Sequence, residues 1–248
     1  MGRLRRIAAP LAALAGLGLG APALACSPAP GYRVPSSLEL VAQADAIAIG
    51  LVASGPDLRA VATDRTHAPP VMFELEYVMK NGTEQNRIEV EWAALIDAPE
   101  GASDPDELML AHPDAYAGAC VRTIFVRHGH VLLFLKRDAR GRMRIMDLPF
   151  ARVAEDVAGR DGRWTRAVGE YLVIARLPRD QWKDALAARR ADLLKQVDDP
   201  DALAIAEDMR RQIEGETHEE YLAALDRQDA AHERFLAVMN AEMPDMEP

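Results

Sequence analysis

A short stretch near residue 50 constrains the fold of this chain most, because its side chains alternate in size along a strand-length run. Ile47, Ile49 and Leu51 are bulky. The alternating positions are smaller: Ala46, Ala48, Gly50 and Val52. Successive side chains of a strand point to opposite faces, so the stretch predicts a β-strand over 44–53. Such a strand suits a small closed barrel, in which we expect the bulky face to fill the interior and the glycine to permit sharp coiling.

Alternation and turn residues predict the strands that pair with this segment. Residues 71–80 and 88–92 alternate apolar with charged side chains, and Asn81-Gly82 lies between them, so an antiparallel hairpin is predicted. Further strands are predicted at 121–127, 130–137 and 143–148. The second of these three is continuously apolar at its centre, which is typical of a strand covered on both faces.

Helical patterns flank the strands. Ser36 and Glu39 have the spacing of a capping box, which predicts a short helix to about residue 43. From Trp164 onward the apolar period changes from two to about 3.6. Helices are predicted at 164–177, 180–197, 201–214 and 217–241. The fold class predicted from these patterns is α+β, with a small antiparallel barrel and an appended C-terminal helical region.

The strand region is interrupted twice. Residues 54–70 are rich in proline and are predicted as a loop. Residues 96–119 form an acidic insertion, in which Asp104 and Pro105 favour a helix start and one or two turns to Ala111. The predicted organisation is a signal peptide at 1–25, the barrel at 26–148, a connecting segment with a helix at 149–178, and the helical region at 179–248.

The first 25 residues have the pattern of a secretory signal. Three arginines precede a mostly apolar run from Ile7 to Gly20, and Ala23-Leu24-Ala25 matches an A-x-A cleavage site. Removal of this segment takes away three basic residues and no acidic ones, so the net charge falls from −10 to −13. The sequence shows no basic patch dense enough to neutralise phosphates, so we expect neither nucleic acid nor anionic lipid as a partner.

Cleavage at this site would make Cys26 the first residue of the mature chain, and Cys120 is the other cysteine. In an oxidising periplasm the two could form a disulfide that closes a loop of about 95 residues, worth roughly 4 kcal/mol on the chain-entropy account. The alternative is lipidation of Cys26, although lipoprotein signals usually carry Leu where this chain has Ala23. The chain is expected to be periplasmic or secreted, with a membrane-anchored lipoprotein as the alternative.

Four common sequence signatures of catalytic or metal-binding sites are absent from the chain. It has no G-x-S-x-G elbow, no phosphate-binding glycine loop, no H-E-x-x-H and no C-x-x-C pair. His128 and His130 flank a glycine, but two ligands without a fixed third make a weak metal site, so solvated histidines are expected. The tryptophans at 92, 164 and 182 are expected to anchor the core. We expect no catalytic residue, metal or cofactor, and predict that the chain is not an enzyme.

A series of short segments in the barrel region resembles one known family. The segments are Cys26, Gln43 to Gly50, Val71 to Leu75, Lys80 to Gly82, Cys120, Phe125 to Gly129 and Val131 to Phe134. Together they resemble the netrin-like domains related to tissue inhibitors of metalloproteinases, over about residues 26–148. The resemblance implies a five-stranded OB-type barrel. In those inhibitors a Cys-x-Cys start chelates the protease zinc through the first cysteine, whereas this chain has Pro28 at the third position.

We therefore expect an exported, non-enzymatic binding module of the cell envelope that engages a protein partner. The binding site is predicted on the proline-rich segment 26–35, called the N-terminal ribbon below, and on the barrel edge beside it. The predicted site residues are Cys26, Ser27, Tyr32 and Arg33. A disulfide that fastens this ribbon would lower the entropic cost of binding. Two alternatives stay open: a metalloprotease-inhibitor-like protein that acts through the Cys26 N-terminus, and an envelope lipoprotein scaffold.

Overall fold

The fold combines a β-barrel with a layer of helices, in the α+β arrangement that the sequence predicts. The structure is a computed structural model and describes residues 32–215 and 233–239. Its strands are β1 (Ala46–Ser54), β2 (Val71–Lys80), β3 (Arg87–Val90), β4 (Ala94–Ile96), β5 (Ile124–Val126), β6 (His130–Arg137), β7 (Met143–Ile145) and β8 (Ala154–Asp156). Its helices are α1 (Ser37–Gln43), α2 (Leu58–Thr63), α3 (Arg163–Ile174), α4 (Trp182–Leu193) and α5 (Pro200–Glu214). Short 3-10 turns lie at Pro99–Gly101, Pro113–Tyr116 and Arg179–Gln181.

Five strands form a nearly closed antiparallel barrel in the order β3-β2-β1-β6-β7. The two ends, β3 and β7, lie against each other, and the Met143 N–H donates to Gln85 Oε1 there at 2.5 Å. Because β6 returns to pair with β1, the strand order is that of a Greek-key barrel of the OB type. The predicted five-stranded, OB-like architecture is confirmed. β8 also pairs with β6, so the sheet extends past the predicted boundary at residue 148.

β1 is buried on both faces, and the structure reverses the predicted assignment of those faces. Ile47 and Ile49 pack away from the barrel interior, in an apolar cluster with α1, α3, α4 and α5 that we call the outer core. Ala46 and Val52 belong instead to the cluster inside the barrel. The expectation that the bulky face fills the barrel is therefore wrong, although the alternation itself is present.

The narrow barrel interior explains why β1 presents its small face there. The rings of Phe73 and Phe125 meet edge to face with centroids 5.0 Å apart. A Cβ atom on Gly50 would come within 3.1 Å of Leu133 Cδ1 and 3.3 Å of Phe73 Cβ. The small β1 residues leave the space that these larger side chains occupy.

The outer core joins the helices to the barrel in one apolar cluster. α3 contributes Trp164 and Tyr171, which are fully buried, and the Trp164 ring lies 5.9 Å from that of Phe134 on β6. The apolar stripe of α5 consists of Ala202, Ile205, Ala206 and Met209. The predicted C-terminal helices are confirmed at α4 and α5. They bury their stripes against the barrel and α1 as well as against each other.

The predicted helix at 217–241 lies mostly outside the described residues. Residues 233–239 are helical, and Phe235 and Met239 there are buried against Ile96 and Ile124 of the β4–β5 pair. Within the described ranges, no helix has both the length and the apolar character that crossing a membrane requires.

α1 is tied to the barrel at its C-terminal end. The predicted capping box is confirmed: Ser36 Oγ accepts the Glu39 N–H at 3.3 Å, and Glu39 Oε2 accepts the Ser36 N–H at 2.9 Å. Carbonyls in the last turn of a helix lack intrahelical donors. Lys80 Nζ, at the end of β2, donates to the carbonyls of Val41 and Ala44 at 2.8 and 2.6 Å. The ribbon therefore ends at a helix that is fixed to the barrel.

The acidic insertion at 96–119 differs from the prediction, because no helix forms near 104–111. The Glu107 carboxylate instead accepts the N–H groups of residues 108–110 at 2.6 to 3.3 Å. Bonds of this kind compete with a helix for the same donors. Leu108 and Leu110 are buried as a result of the irregular path.

Two further segments also depart from the prediction. The predicted strand at 121–127 is shorter than expected and pairs in parallel with β4, as β5, so Leu95 and Phe125 join the interior cluster. The predicted loop at 54–70 contains α2, whose N-cap is the Asp57 side chain. Neither parallel pairing nor this cap follows from alternation alone.

Replacing Gly50 by Val is expected to destabilise the fold, because the added atoms enter the barrel interior beside Leu133 and Phe73. We expect the free energy of unfolding to fall by about 1–3 kcal/mol, as measured by denaturant titration. The control is Gly82→Val in the exposed β2–β3 turn, where nothing lies within 4 Å of an added Cβ. That variant should change stability by less than about 0.5 kcal/mol, and equal losses in both variants would contradict the packing described for β1.

Candidate functional site

The N-terminal ribbon enters the described structure at Tyr32, beside the end of the barrel. Tyr32 Oη donates a hydrogen bond to the Pro149 carbonyl at 2.8 Å, shortly after β7. Arg33 is exposed, and its Nη2 lies 2.5 Å from Glu39 Oε1 on α1. Residues 32–35 of the ribbon therefore run from the chain just after β7 to the start of α1.

Cys120, the predicted disulfide partner of Cys26, lies near the same place. Cys120 is buried, and its carbonyl accepts the Phe150 N–H at 2.8 Å, next to the carbonyl that Tyr32 binds. Cys120 and Phe150 have φ angles of 63° and 58°, which are uncommon for residues other than glycine. Cys26 and Ser27 lie outside the described residues, so the pairing of Cys26 with Cys120 stays a prediction.

A cleft of about 360 Å³ opens between the ribbon and the C-terminal helices. We call it the ribbon cleft. Residues 33–40 form one wall. The other wall includes Trp182, Lys183 and Leu186 of α4 and Arg211 of α5. The volume lies in the range of small-ligand sites, and such sites combine apolar walls with a few polar groups in the same way.

The ribbon cleft is cationic although the chain is acidic. Its lining side chains include five basic and two acidic residues, whereas the whole chain has 29 basic and 39 acidic ones. The basic residues are Arg33, Arg152, Arg179, Lys183 and Arg211. Of the acidic two, Glu39 is paired with Arg33, and Asp208 is buried. Arg33 and Arg211 are paired with Glu39 and Glu207, so the excess positive charge of the lining lies on Arg152, Arg179 and Lys183.

Arg152 lines the inner end of the ribbon cleft and is 3% exposed. Its guanidinium lies 4.8 Å over the Trp164 ring, and its Nη1 donates to the Leu110 carbonyl. Nε and Nη2 have no hydrogen-bond partner within the described part of the chain. A buried cationic donor without a partner is costly, so Arg152 is the most unusual group in the cleft.

Asp208 of α5 anchors a buried network at the same end. Tyr171 Oη and Gln212 Nε2 donate to Asp208 Oδ2 at 2.5 and 3.0 Å, and Gln212 Oε1 accepts the Leu38 N–H at 3.1 Å. These bonds join α3, α5 and α1. Burial raises the pKa of Asp208 to about 6, against the lowering effect of its bonds with Tyr171 and Ser37.

A second cavity, of about 540 Å³, is lined by Ser103, His112 and Glu155. Ser103 Oγ donates to Glu155 Oε2 at 2.5 Å. His112 Nδ1 accepts the Asp114 N–H at 3.1 Å, and Nε2 lies 2.8 Å from the Gly101 carbonyl. Both imidazole nitrogens are thus bonded to backbone. His112 is not placed as a base for the Ser103 hydroxyl, and catalytic nucleophiles of this kind need such a base.

The charged groups near this cavity form a buried structural network. Arg122 Nη2 lies 2.6 Å from Asp156 Oδ2, and Arg152 also lines the cavity. Burial raises the pKa of Glu155, while Arg152 and Arg122 act in the opposite direction. Burial, and then the charge of Arg122, hold the pKa of His112 well below its ordinary value. The network fastens the acidic insertion to β8.

Arg152, Asp208 and this network are not among the residues predicted from the sequence. They come from separate segments, and no local motif marks them. One signal was available: residues 150–157 place an arginine and two carboxylates within an otherwise apolar run. Charges that interrupt a buried run are paired or functional.

The other candidate residues lie apart from the ribbon cleft. His130 pairs with a β2 glutamate on the surface at 3.1 Å, and His128 occupies the preceding turn. In the described ranges, no group of three or more potential metal ligands comes together. Of the tryptophans expected in the core, Trp164 is fully buried and Trp182 lines the cleft, whereas Trp92 is 58% exposed. The expectation is wrong for Trp92.

Comparison with protein-family models, with curated proteins and with solved structures finds no match to this chain. The netrin-like resemblance therefore has its support in the sequence segments and in the barrel architecture.

Asp208 is expected to make stability depend on pH. Its pKa is about 6 in the folded protein against an ordinary value of 3.8, so the folded state keeps a proton that the unfolded chain has lost in this window. The free energy of unfolding should therefore fall as pH rises from about 4 to about 6, by roughly 3 kcal/mol. Asp208→Asn keeps an oxygen acceptor but does not titrate, so it should lack this part of the slope.

Urea titrations at a series of pH values measure the effect. The matched control is Asp192→Asn on α4, whose exposed carboxyl has a lowered pKa because of its bond with Lys195. It should keep the wild-type slope above about pH 4, since its carboxyl is already ionised there in both states. Parallel profiles for the wild type and Asp208→Asn would contradict the buried, protonated state of Asp208.

Proposed function

We propose that this chain is an exported, non-enzymatic binding module of the cell envelope, which engages a protein partner through the N-terminal ribbon and the ribbon cleft. One observation carries the proposal: ribbon residues 33–35 belong to one wall of the cleft, while α4 and α5 contribute to the other. A partner that binds there contacts the ribbon and the helical region at once. The C-terminal helices then take part in binding. Their role could not be predicted from the sequence.

The described part of the ribbon, residues 32–35, is held against the body of the protein, which favours binding. Tyr32 and Arg33 are each hydrogen-bonded to the body of the protein, Ser36 caps α1, and Pro35 has a restricted φ. Ordering a segment beforehand lowers the entropic cost of association. A disulfide from Cys26 would add a further restraint at the start of the ribbon.

The netrin-like identity and the export of the chain belong to the same proposal. The strand order of the barrel and the position of Cys120 beside the ribbon agree with a netrin-like domain. Export is proposed from the signal pattern at 1–25, which lies outside the described residues. The bonding of Ser103 and His112 in the second cavity supports a role without catalysis.

A photoreactive residue at Lys183 is expected to form a covalent adduct with one envelope protein, whereas the same residue at Lys195 is not. Both lysines are exposed, one at the start of α4 and the other just after its end, and Lys195 does not line the cleft. p-Benzoylphenylalanine is introduced at each position in the producing cells, and adducts are identified by mass spectrometry after irradiation. An identical adduct from both positions, or none from Lys183, would contradict the proposed site.

The contribution of the ribbon is tested by adding Tyr32→Phe to the Lys183 probe. This change removes the hydroxyl that binds the Pro149 carbonyl and keeps the ring. If the fixed ribbon presents the site, the adduct yield should fall. An unchanged adduct yield would show that the partner contacts the helical wall of the cleft and does not need the fixed ribbon.

A further inference from the structure

We infer that the ribbon cleft binds an anion that presents a carboxylate or phosphate group, with Arg152 at its inner end and Arg179 and Lys183 at its rim. The inference rests on the proposed function only in using the same cleft, and it names the chemistry that the cleft receives. Binding of a free anion can be measured with no partner present, so the two proposals can fail separately.

Unpaired positive charge is the first argument. Five of the six arginines in α3, α4 and α5 form ion pairs with carboxylates, as in the pairs Arg163–Asp201, Arg166–Asp199, Arg189–Glu170 and Arg210–Glu207. The sixth, Arg190, forms none with a described residue. Arg179 and Lys183 likewise form no ion pair with any other described residue. Two cations without a carboxylate partner at the rim of the cleft that Arg152 also lines focus positive potential there, which attracts a negatively charged ligand.

The free edge of Arg152 is the second argument. Its unpartnered atoms, Nε and Nη2, form the side of a guanidinium that grips two oxygens of a carboxylate or phosphate. Arg189 uses this same edge on Glu170, with both distances at 2.6 Å. The Arg152 edge is covered in this structure, so it contacts a ligand only after the lining side chains shift. Until then the charge of Arg152 acts on the buried carboxyls of Glu155 and Asp208, against the raising effect of burial on each pKa. The cations that a ligand meets first are Arg179 and Lys183.

The apolar surroundings are the third argument. Trp182 and Leu186 line the cleft beside the cations, and the Arg179 guanidinium lies 5.3 Å over the Trp182 ring. Stacking of this kind holds Arg179 at the rim. Attraction between opposite charges is stronger beside apolar walls than in open water. Of the two acidic residues in the lining, Glu39 is paired with Arg33, and Arg152 and Arg211 are the cations that act on Asp208. Arg179 and Lys183 are therefore the cations left for a ligand.

Citrate and inorganic phosphate serve as probes in calorimetric titrations of the full mature chain. We expect saturable binding of at least one probe at millimolar concentrations or below, and weaker binding at high ionic strength. The double variant Arg179→Gln, Lys183→Gln should weaken that binding by about five-fold or more. Lys195→Gln, which removes a lysine already paired with Asp192 outside the cleft, should bind as the wild type does. Arg152 is left unchanged, because its removal would unbalance the buried Glu155.

The two probes distinguish the two sources of the anionic group. Binding of citrate alone assigns a carboxylate ligand, and binding of phosphate alone assigns a phosphate group. No saturable binding of either probe, or equal affinity in the wild type and the double variant, overturns the inference. If anion binding fails but the probe at Lys183 still forms its adduct, the proposed protein partner is supported and the anionic ligand is rejected. Anion binding without any adduct rejects the protein partner and leaves a small-ligand site.

Discussion

Burial of β1 on both faces is the constraint on which the rest of the structure depends. The strand lies between β2 and β6, and its small face leaves room for the aromatic side chains of the barrel interior. Its bulky face, with Ile47 and Ile49, points away from the barrel. A barrel alone would expose that face to water, so the helices are required to cover it. The ribbon cleft forms where this covering layer meets the ribbon and α1.

The positive charge at the inner end of the cleft comes from an arginine that packs against the outer core. Trp164 fills the core and stacks against Arg152, which places a guanidinium at the border between apolar and polar packing. This charge acts to lower the pKa values of the buried Glu155 and Asp208 carboxyls, whereas burial raises them. Arg179 and Lys183 lie at the rim of the same cleft, and neither forms an ion pair with another described residue.

Much of the architecture could be predicted because local apolar periodicity and turn residues determine it. The hairpin, the capping box and the C-terminal helices all follow from such signals. Alternation shows that the faces of β1 differ, but which face enters the barrel depends on the volume of Phe73 and Phe125, contributed by other segments. The helix near 104–111 is lost to Glu107, whose carboxylate takes the helix donors. Arg152 could not be placed, since its environment is assembled from distant segments.

Native-state hydrogen exchange tests most directly whether the barrel and the helices share one core. If they do, the amides of Ile49 in β1 and Met209 in α5 exchange only through global unfolding, with the same free energy and the same dependence on denaturant. That result would make the ribbon cleft a fixed feature of a single cooperative unit. Exchange of the α4 and α5 amides at a markedly lower free energy, with β1 still protected, would contradict the account, because the helices would then open apart from the barrel.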